Sequence, residues 1–116
     1  MVTLRIKTQI YDGDEIAIGP GKADLLTAIA ATGSIAGGAR EMGMSYRRAW
    51  LHVLTMNDLF RTPLVDVVRG GSGRGGATLT LLGTRVLARY RALQAAAEKT
   101  AAPHFRKISS EMAARK

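Results

Sequence analysis

Apolar and polar residues alternate through residues 4–10, so an extended chain would have one apolar and one polar side there. This period of two predicts a strand with one face exposed to solvent. Asp12-Gly13 is a typical turn pair, and residues 15–18 predict a short strand that returns beside the first. The pattern therefore predicts a β-hairpin over residues 1–19.

From residue 22 onward the apolar positions recur at steps of three and four, which predicts a helix. Gly33 suits the left-handed position that ends this helix. Ser34 can cap a second helix that extends to Met42, and Ser45 can cap a third that extends from residue 46 to about residue 57. The sequence thus predicts two short helices joined by a glycine turn at Gly43.

A second hairpin is predicted after Pro63. Residues 64–68 are rich in Val, residues 77–81 alternate again, and the loop between these segments contains five glycines. From Leu82 an apolar stripe at helical spacing continues for about twenty residues. Pro103 is expected to interrupt this helix, so that residues 104–116 form a last, frayed helix.

The order of these elements predicts a mainly α fold with a small β component, the winged helix-turn-helix. A single domain over residues 1–116 is expected: an N-terminal β-hairpin (1–19), the helix-turn-helix (20–60), the wing (63–81) and C-terminal helices (82–116). Ala39 and Gly43 are four residues apart, as required when a small residue lies under the second helix and a glycine makes the turn. The stripe from residue 82 is longer than one copy needs to cover its own core, so a homodimer is expected.

The third helix has two faces when its residues are placed at about 100° intervals. The face predicted to point to the core contains Tyr46, Ala49, Trp50, Val53, Met56 and Phe60. The outer face contains Arg47, Arg48, Leu51, His52 and Thr55. We interpret Trp50 as a core anchor rather than a platform for stacking bases, because it shares its face with Val53. The Tyr46 ring belongs to the edge of the core, and its hydroxyl could still reach a phosphate.

Positive charge is concentrated in the second part of the chain. The chain has 17 Lys+Arg against 9 Asp+Glu, a net charge of +8. Residues 1–46 have a net charge of −1, residues 47–91 of +6 and residues 92–116 of +3, and every basic residue in the middle block is arginine. Arginine binds phosphate oxygens and guanine edges in a bidentate way, so a polyanionic partner is predicted. A solvated basic face without a partner is the alternative.

These positions make double-stranded DNA the predicted partner. Two arginines at the start of a recognition helix lie where base edges and phosphates are reached first, and a glycine-rich wing with arginines can approach the DNA backbone or the minor groove. The candidate DNA-binding residues are Ser45, Tyr46, Arg47, Arg48, His52, Arg69 and Arg74. Arg47 and Arg48 could instead be surface arginines or phosphate contacts only, and His52 could simply face solvent.

Other classes of protein fit less well. Residues 71–76 match the dinucleotide-binding pattern GxGxxG, but a strand rather than a helix is predicted to follow, so we do not expect a nucleotide site. No nucleophile with a base and no carboxylate pair stand out, so no enzyme is predicted. The chain has no cysteine and two separated histidines, so no metal or other cofactor is expected. No signal peptide or membrane span is visible, which predicts a cytoplasmic protein.

Several segments resemble the N-terminal DNA-binding domain of ModE, the molybdate-responsive regulator, which is similar to the winged helix of LysR-type regulators. The resemblance covers roughly residues 20–95, and its most distinctive parts are Ser45-Tyr46-x-x-Ala49-Trp50, the glycine-rich loop and Leu79-Thr80-Leu81-Leu82-Gly83. It implies a dimeric regulator whose long helix pairs the subunits and whose Tyr46, Arg47, Arg48 and Arg74 contact DNA.

Two points remain open from the sequence. ModE continues into C-terminal domains that bind molybdate, and this sequence stops at Lys116, so no small-molecule effector is expected to bind this chain. The alternative function is a winged-helix protein-interaction module whose basic face docks on an acidic protein partner. Such a module would bind a protein and not retard DNA.

Overall fold

The computed structural model describes residues 1–68 and 75–113, and it shows helices with two small hairpins. The elements, in chain order, are β1 (Ile10–Asp12), β2 (Glu15–Ile18), α1 (Pro20–Thr32), α2 (Ile35–Met42), α3 (Tyr46–Leu59), β3 (Val65–Val68), β4 (Gly76–Leu79) and α4 (Leu81–Ser109). Strand β1 pairs antiparallel with β2, and β3 pairs antiparallel with β4. This arrangement confirms the predicted mainly α, winged helix-turn-helix fold.

The N-terminal hairpin is shorter than the sequence predicted. Strand β1 begins only at Ile10, and the turn contains Gly13 with a positive φ of 61°. Residues 4–9, which the alternation predicted as part of this strand, have no regular secondary structure, and neither have residues 1–3. The returning strand explains this difference, because β2 ends at Ile18 just before helix α1 begins and leaves no backbone for earlier residues to pair with. The segment is attached to α4 instead, where the Tyr90 hydroxyl donates to the Thr8 carbonyl oxygen at 2.8 Å.

The end of α1, both ends of α2 and the start of α3 lie where the capping residues predict. Gly33 ends α1 in the left-handed conformation with φ 78°, and Gly43 ends α2 with φ 65°. The Ser34 hydroxyl oxygen accepts a hydrogen bond from the Gly37 amide at 2.8 Å and so caps α2. The glycine turn between α2 and α3 is therefore present where the sequence placed it.

The core lies between α1, the inner faces of α2 and α3, and the wing strands. Its fully buried large side chains are Ile18, Leu25, Leu26, Ile29, Val53, Met56, Leu64 and Val65. The wing joins this core through its second strand, because the Ala77 amide donates to the Gly33 carbonyl oxygen at 2.8 Å. The end of α1 therefore supports the wing beside the helix-turn-helix.

Helix α4 is continuous over 29 residues, and the interruption predicted at Pro103 is wrong. Proline removes the amide that would bond to the carbonyl four residues earlier. Pro103 is exposed, so water can reach that carbonyl, and the alanines around it are strong helix formers. Near its start, α4 packs against the loop before the wing so closely that a Cβ at Gly83 would collide with the Leu64 carbonyl oxygen.

Within residues 1–68 and 75–113, no helix is long and apolar enough to cross a membrane.

Candidate nucleic-acid interface

Helix α3 begins at the surface with its first turn exposed. The Ser45 hydroxyl oxygen accepts a hydrogen bond from the Arg48 amide at 3.1 Å, which caps the helix. Arg47 and Arg48 lie in that first turn, and both side chains are exposed. Ser45 therefore sets the point at which the two guanidinium groups leave the protein surface.

The buried face of α3 is the one predicted from its spacing, with one exception. Ala49, Val53 and Met56 are fully buried, and Trp50 is partly buried against the core. Tyr46, predicted to face the core, is 57% exposed, and this prediction is wrong. Its ring stacks on Trp50, with ring centroids 6.4 Å apart and an angle of 12° between the planes. Tyr46 is the first residue of α3, so it lies beyond the edge of the core that covers the later turns.

The exposed tyrosine lines a cleft between the helix-turn-helix and the wing. The cleft has a volume of about 200 Å³, and its other walls come from the start of α2 and from both wing strands, including Ser34, Val67 and Gly76. Helix α3 and the wing are thus adjacent, and Tyr46 lies where they meet.

One side chain connects α3 to the wing. The Asn57 amide nitrogen donates to the Val65 carbonyl oxygen at 3.0 Å. Its Oδ1 accepts hydrogen bonds from the amides of Leu64 at 2.8 Å and of Val65 at 3.0 Å. Asn57 therefore fixes the start of β3 relative to α3. This role was not predicted from the sequence, although an amide side chain in the last turn of a helix, shortly before Pro63, is a signal for it.

A second connection holds the other end of the wing. The Thr80 hydroxyl donates to the Pro63 carbonyl oxygen at 2.7 Å and accepts a hydrogen bond from the Gly83 amide at 2.9 Å. One side chain thus caps α4 and closes the base of the hairpin. Together, Asn57 and Thr80 define the orientation of the wing.

Comparison with known proteins relates this arrangement to molybdenum regulators. The chain is 44% identical over 82 residues to the molybdenum-pterin-binding protein MopB of Rhodobacter capsulatus, which covers 71% of this chain and 30% of MopB. It is 37% identical over 90 residues to the DNA-binding transcriptional dual regulator ModE of Escherichia coli, which covers 78% of this chain and 32% of that protein. It is 44% identical over 78 residues to the molybdenum transport protein ModE of Azotobacter vinelandii, covering 67% of this chain and 29% of that one. The chain is a ModE-like N-terminal domain.

The ModE-like domain spans about 30% of the length of these curated relatives. No protein-family model matches it. The names of these three relatives describe transcriptional regulators and molybdenum-binding or molybdenum-transport proteins. None of the three names describes an enzyme.

Of the three remaining predicted site residues, the structure describes His52 only. His52 is on α3 one turn after Arg48, partly exposed, and burial together with the positive charges of Lys22 and Arg48 lowers its pKa below the ordinary value of 6.5. Arg69 and Arg74 lie outside the residues that the structure describes, so their contribution stays a prediction. They follow β3 and precede β4, whose paired ends are Val68 and Gly76.

Ligand groups for a metal ion are not clustered in the parts of the ModE-like domain that the structure describes. No group of three or more His, Cys, Asp and Glu side chains there could hold an ion. The groups that α3 offers to a ligand are instead guanidinium, imidazole and hydroxyl groups, which bind anions and hydrogen-bond acceptors.

Proposed function

We propose that the ModE-like domain binds double-stranded DNA in a sequence-specific way and regulates transcription by occupying an operator. The observation that carries this proposal is the geometry of α3. Its inner face is buried, while Arg47 and Arg48 project from its exposed first turn. Neither arginine forms a salt bridge in the described part of the chain. A helix of this kind can enter the major groove with its N-terminal residues at the base edges.

The wing supports the same proposal. Asn57 and Thr80 hold the β3–β4 hairpin beside α3, so a duplex lying along α3 would also lie close to the paired strands of the wing. The sequence that joins these strands contains Arg69 and Arg74, and arginines in a wing can bind phosphates or a narrow minor groove. A related ModE of Escherichia coli is named a DNA-binding transcriptional regulator, which favours this use of the fold. Binding to chromosomal DNA would place the chain in the cytoplasm.

We further propose that the domain acts as a homodimer paired through α4. This helix is about 43 Å long at 1.5 Å per residue, yet only Gly83 and Tyr90 in it are buried. Leu93 is 40% and Ile108 66% exposed, so the apolar stripe continues beyond the core of one copy. A groove of about 470 Å³ between α4, the N-terminal hairpin and the end of α3 is lined mainly by apolar side chains, including Ile10, Phe60 and Leu93. A second copy of α4 would cover these surfaces.

The signal to which the domain responds is a separate matter. We propose no small-molecule effector for residues 1–116. Molybdenum appears in the names of the relatives, and it is said there of those longer proteins.

Gel retardation tests the proposal directly. Purified protein should retard promoter fragments from its own operon at low salt, and the logarithm of the binding constant should fall steeply with the logarithm of the salt concentration. The variant Arg47→Ala, Arg48→Ala should weaken specific binding, since a lost base contact costs about 1–3 kcal/mol and a lost phosphate contact weakens binding further. The matched control is Lys99→Ala, Lys107→Ala, which removes the same charge from exposed positions on α4. Absence of retardation by the wild type, or equal weakening in both variants, would contradict the proposal.

A further inference from the structure

A second pocket lies beside the outer face of α3, away from the wing. It has a volume of about 220 Å³ and is formed by the N-terminal segment, the start of α1 and one side of α3. Four of its lining residues have basic or titratable side chains: Lys7 from the N-terminal segment, Lys22 from α1, and Arg48 and His52 from α3. Three separate elements therefore bring their cationic groups to one small space.

These charges are not neutralised by close ion pairs. The one salt bridge within residues 1–68 and 75–113 joins Arg91 to Asp24, and it involves none of the pocket residues. Glu15 on β2 is the acidic group that acts on Lys22, and it raises the pKa of that lysine, whereas the larger effect of burial lowers it. The pKa of His52 is lowered by burial and by the charges of Lys22 and Arg48. The side chains in the pocket thus repel one another, and an anion would relieve this repulsion.

The spacing on α3 separates the two neighbouring arginines. Arg48 and His52 are four residues apart, so they lie one above the other on the side of the helix that faces the pocket. Arg47 is about 100° further round the helix and does not line the pocket. Arg47 is therefore available to contact base edges, whereas Arg48 lines the pocket together with Lys7 and Lys22.

The backbone adds donors to the same space. Gly19, Pro20 and Gly21 line the pocket, and no side chain caps the start of α1 there. The first amides of a helix are free to bond to an anion. Their contribution is secondary to that of the four side chains.

We propose that this pocket binds one phosphate group through Lys7, Lys22, Arg48 and His52, and that the group is a backbone phosphate flanking the bases read by α3. This source of the phosphate rests on the DNA-binding function proposed above. Two lysines, an arginine and an imidazole suit an oxyanion, and the arginine can bind two of its oxygens. The pocket would position the duplex without reading its sequence.

The first arm of the test uses DNA. The variant Lys7→Gln, Lys22→Gln removes two pocket charges while keeping side chains of similar length, and Lys99→Gln, Lys107→Gln is the control with the same loss of charge elsewhere. The slope of log K against log[salt] should become shallower by about 0.9 in the pocket variant, the value for one lost phosphate contact, and should stay unchanged in the control. Specific and non-specific DNA should lose affinity by the same factor. Circular dichroism checks that both variants are folded.

The second arm uses inorganic phosphate at constant ionic strength, followed by the NMR signal of the His52 ring. Phosphate should shift this signal saturably in the wild type and in the control, and not in Lys7→Gln, Lys22→Gln. The exposed His104 is the internal reference. If the slope of log K against log[salt] is shallower in the pocket variant, the pocket binds a DNA phosphate, whether or not it also binds free phosphate.

The outcomes separate the two proposals. Binding of free phosphate with an unchanged salt slope would overturn the assignment to DNA and support a site for a free oxyanion. An unchanged slope together with an unmoved His52 signal would overturn the pocket altogether. If the wild type bound no DNA, the proposed function would fail, and the phosphate titration alone would decide whether the pocket binds an anion.

Discussion

At the residue scale, Asn57 is the side chain on which the geometry of the interface depends most. It makes three hydrogen bonds to the backbone at the start of β3. Replacing it by alanine leaves two amides and one carbonyl without their partner in a partly buried place. Since an unsatisfied buried polar group costs about 1–3 kcal/mol, Asn57→Ala should lower the free energy of unfolding by about 2–3 kcal/mol. Urea denaturation measures this.

A graded series sharpens that prediction. Asn57→Asp keeps an oxygen that accepts from Leu64 and Val65, but it places a second carboxylate oxygen opposite the Val65 carbonyl oxygen. Because the two retained hydrogen bonds become charge-assisted, its loss of stability should still be smaller than that of Asn57→Ala. Asp58→Ala, at the exposed neighbouring position, should change stability by less than about 0.5 kcal/mol. Equal stability of Asn57→Ala and Asp58→Ala would show that Asn57 does not anchor the wing.

The pKa of His52 should report its burial and, to a smaller extent, the positive charges of Lys22 and Arg48. Its pKa in the folded protein is lowered from the ordinary value of 6.5, so the unfolded chain takes up this proton first as the pH falls. The stability that neutral His52 contributes is fully present above pH 6.5. It is lost as the pH falls from 6.5 towards the lowered pKa of the folded state. Stability measured from pH 7.5 to pH 5 should therefore fall more steeply in the wild type than in His52→Gln. An NMR titration that placed the pKa at or above 6.5 would contradict this electrostatic account.

The residue scale also shows where prediction from sequence stops. Ser34, Ser45 and Gly33 act as the sequence predicted, because capping depends on local backbone geometry. Tyr46 does not, because the 100° rule says which side of a helix a residue is on but not where the core ends along its axis. The contact of Asn57 with β3 spans a loop whose path the sequence does not specify.

At the scale of the elements, the contact between α4 and the loop before the wing depends on Gly83. A Cβ there would overlap the Leu64 backbone carbonyl, which cannot move without shifting the wing. Overpacking of this kind costs about 1–3 kcal/mol, so Gly83→Ala should lower the thermal midpoint and the urea midpoint. Gly21→Ala is the control, because nothing lies within 4 Å of the added Cβ. It should stay within about 1 kcal/mol of the wild type, on the stabilising side. A similar loss in both variants would exclude the proposed close contact.

The predicted elements differ from the structure at both ends of the chain. Alternation in residues 4–10 predicted a strand, but a strand also needs a partner, and β2 is too short to supply one. Pro103 predicted a break, but one missing hydrogen bond at an exposed position is not sufficient to end an alanine-rich helix. Both patterns are present in the sequence. The structure that formed at each place depended on surroundings that the local pattern does not include, namely the length of β2 and the exposed, alanine-rich helix around Pro103.

At the scale of the whole molecule, the extents of 60 × 33 × 24 Å reflect the length of α4. If a second copy covers the groove beside α4, sedimentation equilibrium at micromolar concentration should give twice the chain mass of 12.4 kDa. Leu93→Asp places a charge in the groove and should shift the protein to monomer. Ala95→Asp, which lies about 200° further round the helix, should remain dimeric. A monomeric wild type would refute the dimer.

At this scale the sequence predicted more than at the others. The order of helices and hairpins and the arginine-rich middle of the chain together predicted the fold and the face of α3 that is exposed. They did not predict the phosphate pocket, because Lys7, Lys22 and His52 are far apart in the sequence and meet only when the N-terminal segment folds back beside α3. Contacts between distant segments are the part that local patterns leave undetermined.

Selection of bound duplexes from a random-sequence pool tests the central claim most directly. The wild type should enrich a motif of two related half-sites about one helical turn apart, as expected for a dimer with one recognition helix per copy. Arg47→Ala should lose preference at particular base positions, and Arg48→Ala should keep the motif while binding more weakly. Failure of the wild type to enrich any motif, or an unchanged motif with Arg47→Ala, would contradict the account.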